Sequence, residues 1–162
     1  MAVQSKDSYS LEHKPLHAGQ LADLTLFNTA SGLPVVDIEF GLGVVRDGNK
    51  IKVPASAAEV QNDFLGVVMY ELNRSVQSGQ DGKVLAGYDA TVITEGHVAV
   101  VVTEAVAVGD AVCLQVSGDA KGKFCKTKSG NQILDAWEFK SAGSDIAVIG
   151  PKSNIVLPVA SE

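Results

Sequence analysis

The chain has 162 residues, 46% of them hydrophobic and 20% charged, and a formal net charge of -6 at pH 7. That length fits one domain or two small ones with enough apolar material for a real core. The acidic balance excludes a nucleic-acid partner, whose binding depends on Lys and Arg displacing counterions, and no apolar run approaches the ~20 residues of a membrane helix, so no membrane partner is expected.

Residues 1 to about 20 read as an extended arm. They are polar, hold neither a period of 2 nor one of 3.6, and lack the apolar segment of a secretory signal. The spaced Tyr9, Leu11 and Leu16 suit an arm that docks on a partner. Residues 21 to 162 read as an all-β domain, a sandwich or barrel, with a small C-terminal β subdomain from about residue 133 left open.

Leu21, Leu24, Leu26 and Phe27 form a first β-prone run, ended by Asn28 to Gly32. Val35, Val36, Ile38 and Phe40 form a second, with Asp37 and Glu39 alternating. Gly41 and Gly43 mark a bulge or bend. Val44 and Val45 lead to an Asp47-Gly48 turn and a return through Ile51 and Val53, the best hairpin of the N-terminal half. Ser56 with Glu59 fits a capping box, on a segment with room for one helical turn. Phe64 to Leu72 is the next strand, and Asn73 to Lys83 a polar loop. Ala90 to Thr94 and His97 to Thr103 follow, joined by a tight Glu95-Gly96 turn.

The run Val98-Ala99-Val100-Val101-Val102 does not alternate, so both faces of its strand are expected to be buried. One face meets the domain's own core, and the other a second sheet or a neighbouring subunit. Val98, Val100, Val101 and Val102 are therefore the candidate oligomer interface. A second hairpin runs from Val108 to Lys126 around Gly118 and Gly122. Cys113 and Cys125 can face each other across it, and read as half-buried thiols, reduced in a bacterial cytoplasm. Strands over 133–139, 146–149 and 155–159 complete the chain, with Trp137 and Phe139 pointing together into core or interface.

No reactive constellation accompanies these strands, so no enzyme activity and no cofactor are expected. His13 and His17 have an i,i+4 spacing, but Pro15 between them spoils a helical metal pair. Asp37 and Glu39 read as a solvated strand face. No Gly-x-Ser-x-Gly and no nucleotide-binding glycine pattern occurs. Two other functions fit parts of the pattern. A glycan-binding or adhesion β-module would use exposed aromatics, of which Trp137 and three tyrosines are available. A lipoyl- or biotinyl-like carrier would present Lys121 at a hairpin tip, but the usual lysine context is missing.

Taken in order, the motifs resemble the structural cement (capsid decoration) proteins of tailed bacteriophages. They are Gly19-Gln20-Leu21-Ala22-Asp23, Ile38-Glu39-Phe40-Gly41-Leu42-Gly43-Val44-Val45, Val53-Pro54-Ala55-Ser56, Phe64-Leu65-Gly66-Val67-Val68, Glu95-Gly96-His97-Val98-Ala99-Val100 and Val108-Gly109-Asp110-Ala111-Val112, closing with Gly122-Lys123-Phe124. The resemblance spans residues 19 to about 139; the segment past Ala142 has no place in it. It implies a non-enzymatic virion protein, made in the bacterial host cytoplasm, on the capsid exterior. Its partner would be the major capsid protein, whose neighbouring subunits it clamps as a homo-oligomer, trimer preferred over dimer. Tyr9, Leu11, Lys14, Leu16 and His17 of the arm are then the candidate capsid-binding residues.

Overall fold

The computed structural model describes residues 16–23, 25–71 and 82–152. The strands are β1 (Asn28–Pro34), β2 (Ile38–Glu39), β3 (Gly43–Asp47), β4 (Lys50–Lys52), β5 (Phe64–Val68), β6 (Lys83–Val84), β7 (Ala90–Glu95), β8 (Val98–Val101), β9 (Ala111–Leu114), β10 (Phe124–Cys125), β11 (Gln132–Phe139) and β12 (Ile146–Pro151). One short helix, α1 (Ala57–Asp63), interrupts them. The all-β expectation holds. The strands β1-β4-β3-β5-β7 close a barrel, β10-β9-β11-β12-β8 form a five-stranded sheet, and β2 pairs with β6.

The local turn chemistry acts close to expectation, with the first turn falling one residue later than Asp47-Gly48. β3 and β4 pair antiparallel, with Asp47 opposite Lys50, so the loop is Gly48-Asn49. In α1, Ser56 Oγ accepts from Glu59 N–H at 3.3 Å. Glu59 Oε2 reaches back to Ala55 N–H at 2.7 Å, and its Oε1 meets Lys52 Nζ at 2.9 Å. That box starts a helix of seven residues rather than a single turn. β9 and β10 form the second hairpin, with Cys113 directly opposite Cys125.

Two hydrophobic cores share a wall. Consecutive residues of β3, β5 and β7 point to opposite sides of the barrel. Val45, Val67 and Ile93 join the core between barrel and sheet, with Val98, Val100, Phe124, Trp137, Phe139 and Ile149. Val44, Val68 and Val92 join the barrel core, with Ile38, Phe40 and Ile51. Every apolar pair on this wall therefore finds a dry environment inside one chain.

Several expectations fail for reasons of this architecture. The first strand is not the Leu21–Phe27 run but the stretch read as its terminator, Asn28–Pro34. Ladder bonds to β7 hold it, and Gly32 is needed because a Cβ there would lie 2.5 Å from Ile51 Cγ2. Leu26 and Phe27 are exposed, and Leu24 lies outside the described residues. Of the second run only Ile38–Glu39 is strand; Val35 and Val36 face solvent. The turn at Glu95-Gly96 joins strands of different sheets, not a hairpin. β11 and β12, in the segment from residue 133, are interior strands of the five-stranded sheet. Trp137 and Phe139 lie in the core. The 155–159 strand and most of the 73–83 loop fall outside the described residues.

Candidate functional surface

The described chain begins at a junction of the two sheets. Gly19 N–H donates to Ala99 O at 2.7 Å, Ala99 N–H to Gln20 O at 2.9 Å, and Ala22 N–H to His97 O at 2.9 Å. Leu21 bridges Val98. The segment thus covers the outer edge of β8, which would otherwise offer unpaired backbone groups to any passing strand. On its other side Gly19 O accepts from Tyr70 N–H at 2.9 Å. Gly19 has φ 82, and a Cβ on it would stand 2.5 Å from Val68 O and 2.9 Å from Gly41 N. Only glycine fits this crossing. The boundary placed at residue 20 therefore falls inside a segment already bound into the fold.

Beside this root lies a cleft of about 500 Å³ lined by His17, Glu39, Phe40, Tyr70, Lys83 and Val101, among others. The His17 ring stacks on Tyr70 at 5.3 Å and 16°, and Phe40 meets Tyr70 edge-on at 5.2 Å. Lys83 Nζ pairs with Asp37 Oδ2 at 3.1 Å. Asp37 also accepts from Ala86 N–H, and that bond first, then Lys83, lowers its carboxyl pKa.

The structure brings together few of the residues picked from sequence. Tyr9, Leu11 and Lys14 lie outside the described residues, Leu16 is half-buried, and His17 is exposed at the cleft. Val98 and Val100 are 0% exposed and Val102 only 4%. The chain's own elements bury one face of β8 completely and Ala99 on the other, where Val101 is only partly covered. Val98, Val100 and Val102 therefore offer almost no surface to a neighbouring subunit. Val101 alone keeps exposed surface, and it lines the same cleft as His17.

Sequence reasoning missed two apolar surfaces. Leu26, 99% exposed, and Phe27 stand before β1. Leu33, Val35, Val36 and Tyr88 stand at its other end, where Gly87 N–H donates to Pro34 O and brings the Tyr88 loop alongside. The signal was present as apolar runs, but runs of that length read equally as buried strands.

The family model for the structural cement protein (E217 gp24/Pam3 gp6) matches residues 4–151. The chain belongs to this family. The cement protein also aligns with a chain from the capsid of Myoviridae phage XM1, at TM-score 0.65 and 14% identity, over 91% of this chain and 97% of that one. A weaker likeness, TM-score 0.44 at 9% identity over 78% and 95% of the two chains, is to the head fiber gp8.5 N base of bacteriophage phi29. No curated protein matches. The XM1 likeness establishes the shared fold; the family establishes a structural protein of the virion that stabilises the capsid.

Burial pushes the Cys125 thiol up to about 11, with Cys113 adding to it, and burial likewise raises Cys113. Both are free, buried thiols. Lys121 is exposed in the β9–β10 connection. Glu104 accepts from the Lys126 and Thr127 backbone N–H groups at 2.9 and 2.8 Å, pinning the loop after β10. Among the described residues no group of three His, Cys, Asp or Glu could hold a metal ion.

Proposed function

We propose that this protein binds the outer surface of a phage capsid and clamps neighbouring major capsid protein subunits. The family match over residues 4–151 carries this reading. The two exposed apolar surfaces support it. A bridging protein needs at least two contacts, and at ~3.3 Å per residue β1 holds its two end patches about 20 Å apart. Once one patch is seated the second contact is intramolecular, so retention exceeds what either patch gives alone.

In the same reading, the residues ahead of Gly19 form a docking arm whose Tyr9, Leu11 and Lys14 add contacts beyond the root at His17. The protein acts as a homo-oligomer, trimer rather than dimer, with closed symmetry matching a local capsid axis. Val101 and the cleft beside it are what β8 still offers such a contact.

The test is to add purified protein to DNA-filled heads of its phage that lack it. Co-sedimentation, and a rise in the temperature at which the heads release DNA, are expected. Deleting residues 2 to 16 should leave the β-fold intact and weaken retention. Absence of both co-sedimentation and stabilisation would refute the reading. Light scattering at micromolar concentration reports the oligomer, and a monomer mass would remove the trimer from it.

A further inference from the structure

A single exposed leucine is ordinary on a protein surface. Leu26 differs because the loop carrying it is braced on both sides. Ahead of it, Asp23 Oδ1 accepts from Thr25 N–H at 3.0 Å and from the Thr25 hydroxyl. Asp23 Oδ2 meets His97 Nδ1 at 2.6 Å. Behind it, Asn28 Nδ2 donates to Glu95 Oε2. Beneath it, Gly96 at φ 124 lets the β7–β8 turn close on Phe27; a Cβ there would lie 2.7 Å from Phe27 Cβ. The side chains of Asp23, Thr25 and Asn28 are thus engaged within the loop or with this turn. Among the described residues of the loop, the large side chain left standing free is Leu26, at 99% exposure.

We propose that Leu26, backed by Phe27, is a preformed knob that seats in an apolar pocket with a basic rim on the capsid protein. This deepens the cement reading and rests on it. Bracing on either side of Leu26 lowers the conformational entropy that docking would forfeit. An apolar anchor ringed by polar groups that exclude water is the anatomy of an interface hot spot. Charge selects the occupant. The carboxylates of Asp23, paired with His97, and of Glu95, bonded to Asn28, are held at the two ends of this loop, and the chain carries -6 overall. A second copy meeting this loop would oppose like charges, whereas a capsid surface rimmed with Lys or Arg would pair with them.

The experiment compares wild type, Leu26→Asp and Leu26→Met for binding to DNA-filled heads lacking the protein, at low and high salt. Leu26 buries almost nothing within the chain, so both variants keep the wild-type melting temperature. Leu26→Asp should bind about thirtyfold more weakly or worse, the loss typical of a truncated hot spot, while Leu26→Met stays near wild type. Wild-type binding should also fall with salt. Equal binding by wild type and Leu26→Asp overturns the knob while leaving the cement reading intact. If wild type itself does not bind, the cement reading fails and takes the knob with it. If Leu26→Asp converts an oligomer into a monomer in solution, the occupant is a second copy, and the proposal is overturned.

Discussion

Val100 and Val101 are adjacent on β8, and their variants should behave oppositely. Val100 is 0% exposed and packs in the core shared by barrel and sheet, whereas Val101 is partly exposed at the cleft. Val100→Ala deletes two buried carbons, at ~0.8 kcal/mol each, and leaves a small cavity, so it should cost about 2 kcal/mol. For a domain of this size that is a melting temperature lower by roughly 4–8 °C. Val100→Asp forfeits the same packing and adds a carboxylate with no partner in a dry core, a further cost of several kcal/mol. The sum is comparable with the roughly 5–15 kcal/mol of a whole domain, so this variant should not fold. Val101→Asp should stay within about 1 kcal/mol of wild type, because its side chain can reach water. Thermal melts followed by circular dichroism decide the matter. A folded Val100→Asp protein melting like wild type would show that β8 is not buried in the way described, and would return that strand to the list of free surfaces.

Gly19→Ala should strip the root segment from β8, since its new methyl would press on Val68 O; faster amide exchange at Ala99 and Tyr70 reports it, and unchanged exchange would contradict the crossing. Asp23 is held down to about 2, chiefly by the Thr25 hydroxyl and then by His97, against an ordinary 3.8. A depressed carboxyl stabilises the fold above its unfolded pKa and loses that contribution as pH falls toward the folded value. The gap in urea midpoint between wild type and Asp23→Asn should therefore be full at pH 5 and close between pH about 4 and 2; a gap constant across that window would exclude the bracing role. Cys113 and Cys125 should resist a thiol reagent at pH 8 until the protein unfolds, and dithiothreitol should leave the melting temperature unchanged; a large drop would reveal a disulfide.

What the sequence by itself determined was local. The Asp47-Gly48 hairpin, the Ser56–Glu59 box, the β9–β10 hairpin and the facing cysteines each depend on residues a few positions apart, so their chemistry is readable without knowing what lies across the molecule. The order of these weak motifs was enough to indicate the family, and the absence of helical periodicity to indicate the class. What only the tertiary structure decided was which surfaces stay wet. An apolar pair such as Val44-Val45 looks the same whether its second face meets a subunit or another core of the same chain. In β8, Val98 and Val100 join one core and Ala99 is buried on the other face, while Val101 stays partly exposed, so the missing alternation there reflects burial within the chain. Conversely, Leu26 and Phe27 read as strand but stand in solvent, because β1 is set by its ladder to β7 and by the space Ile51 leaves at Gly32. Burial is a property of partners distant in sequence, and a run of apolar residues does not name its partners.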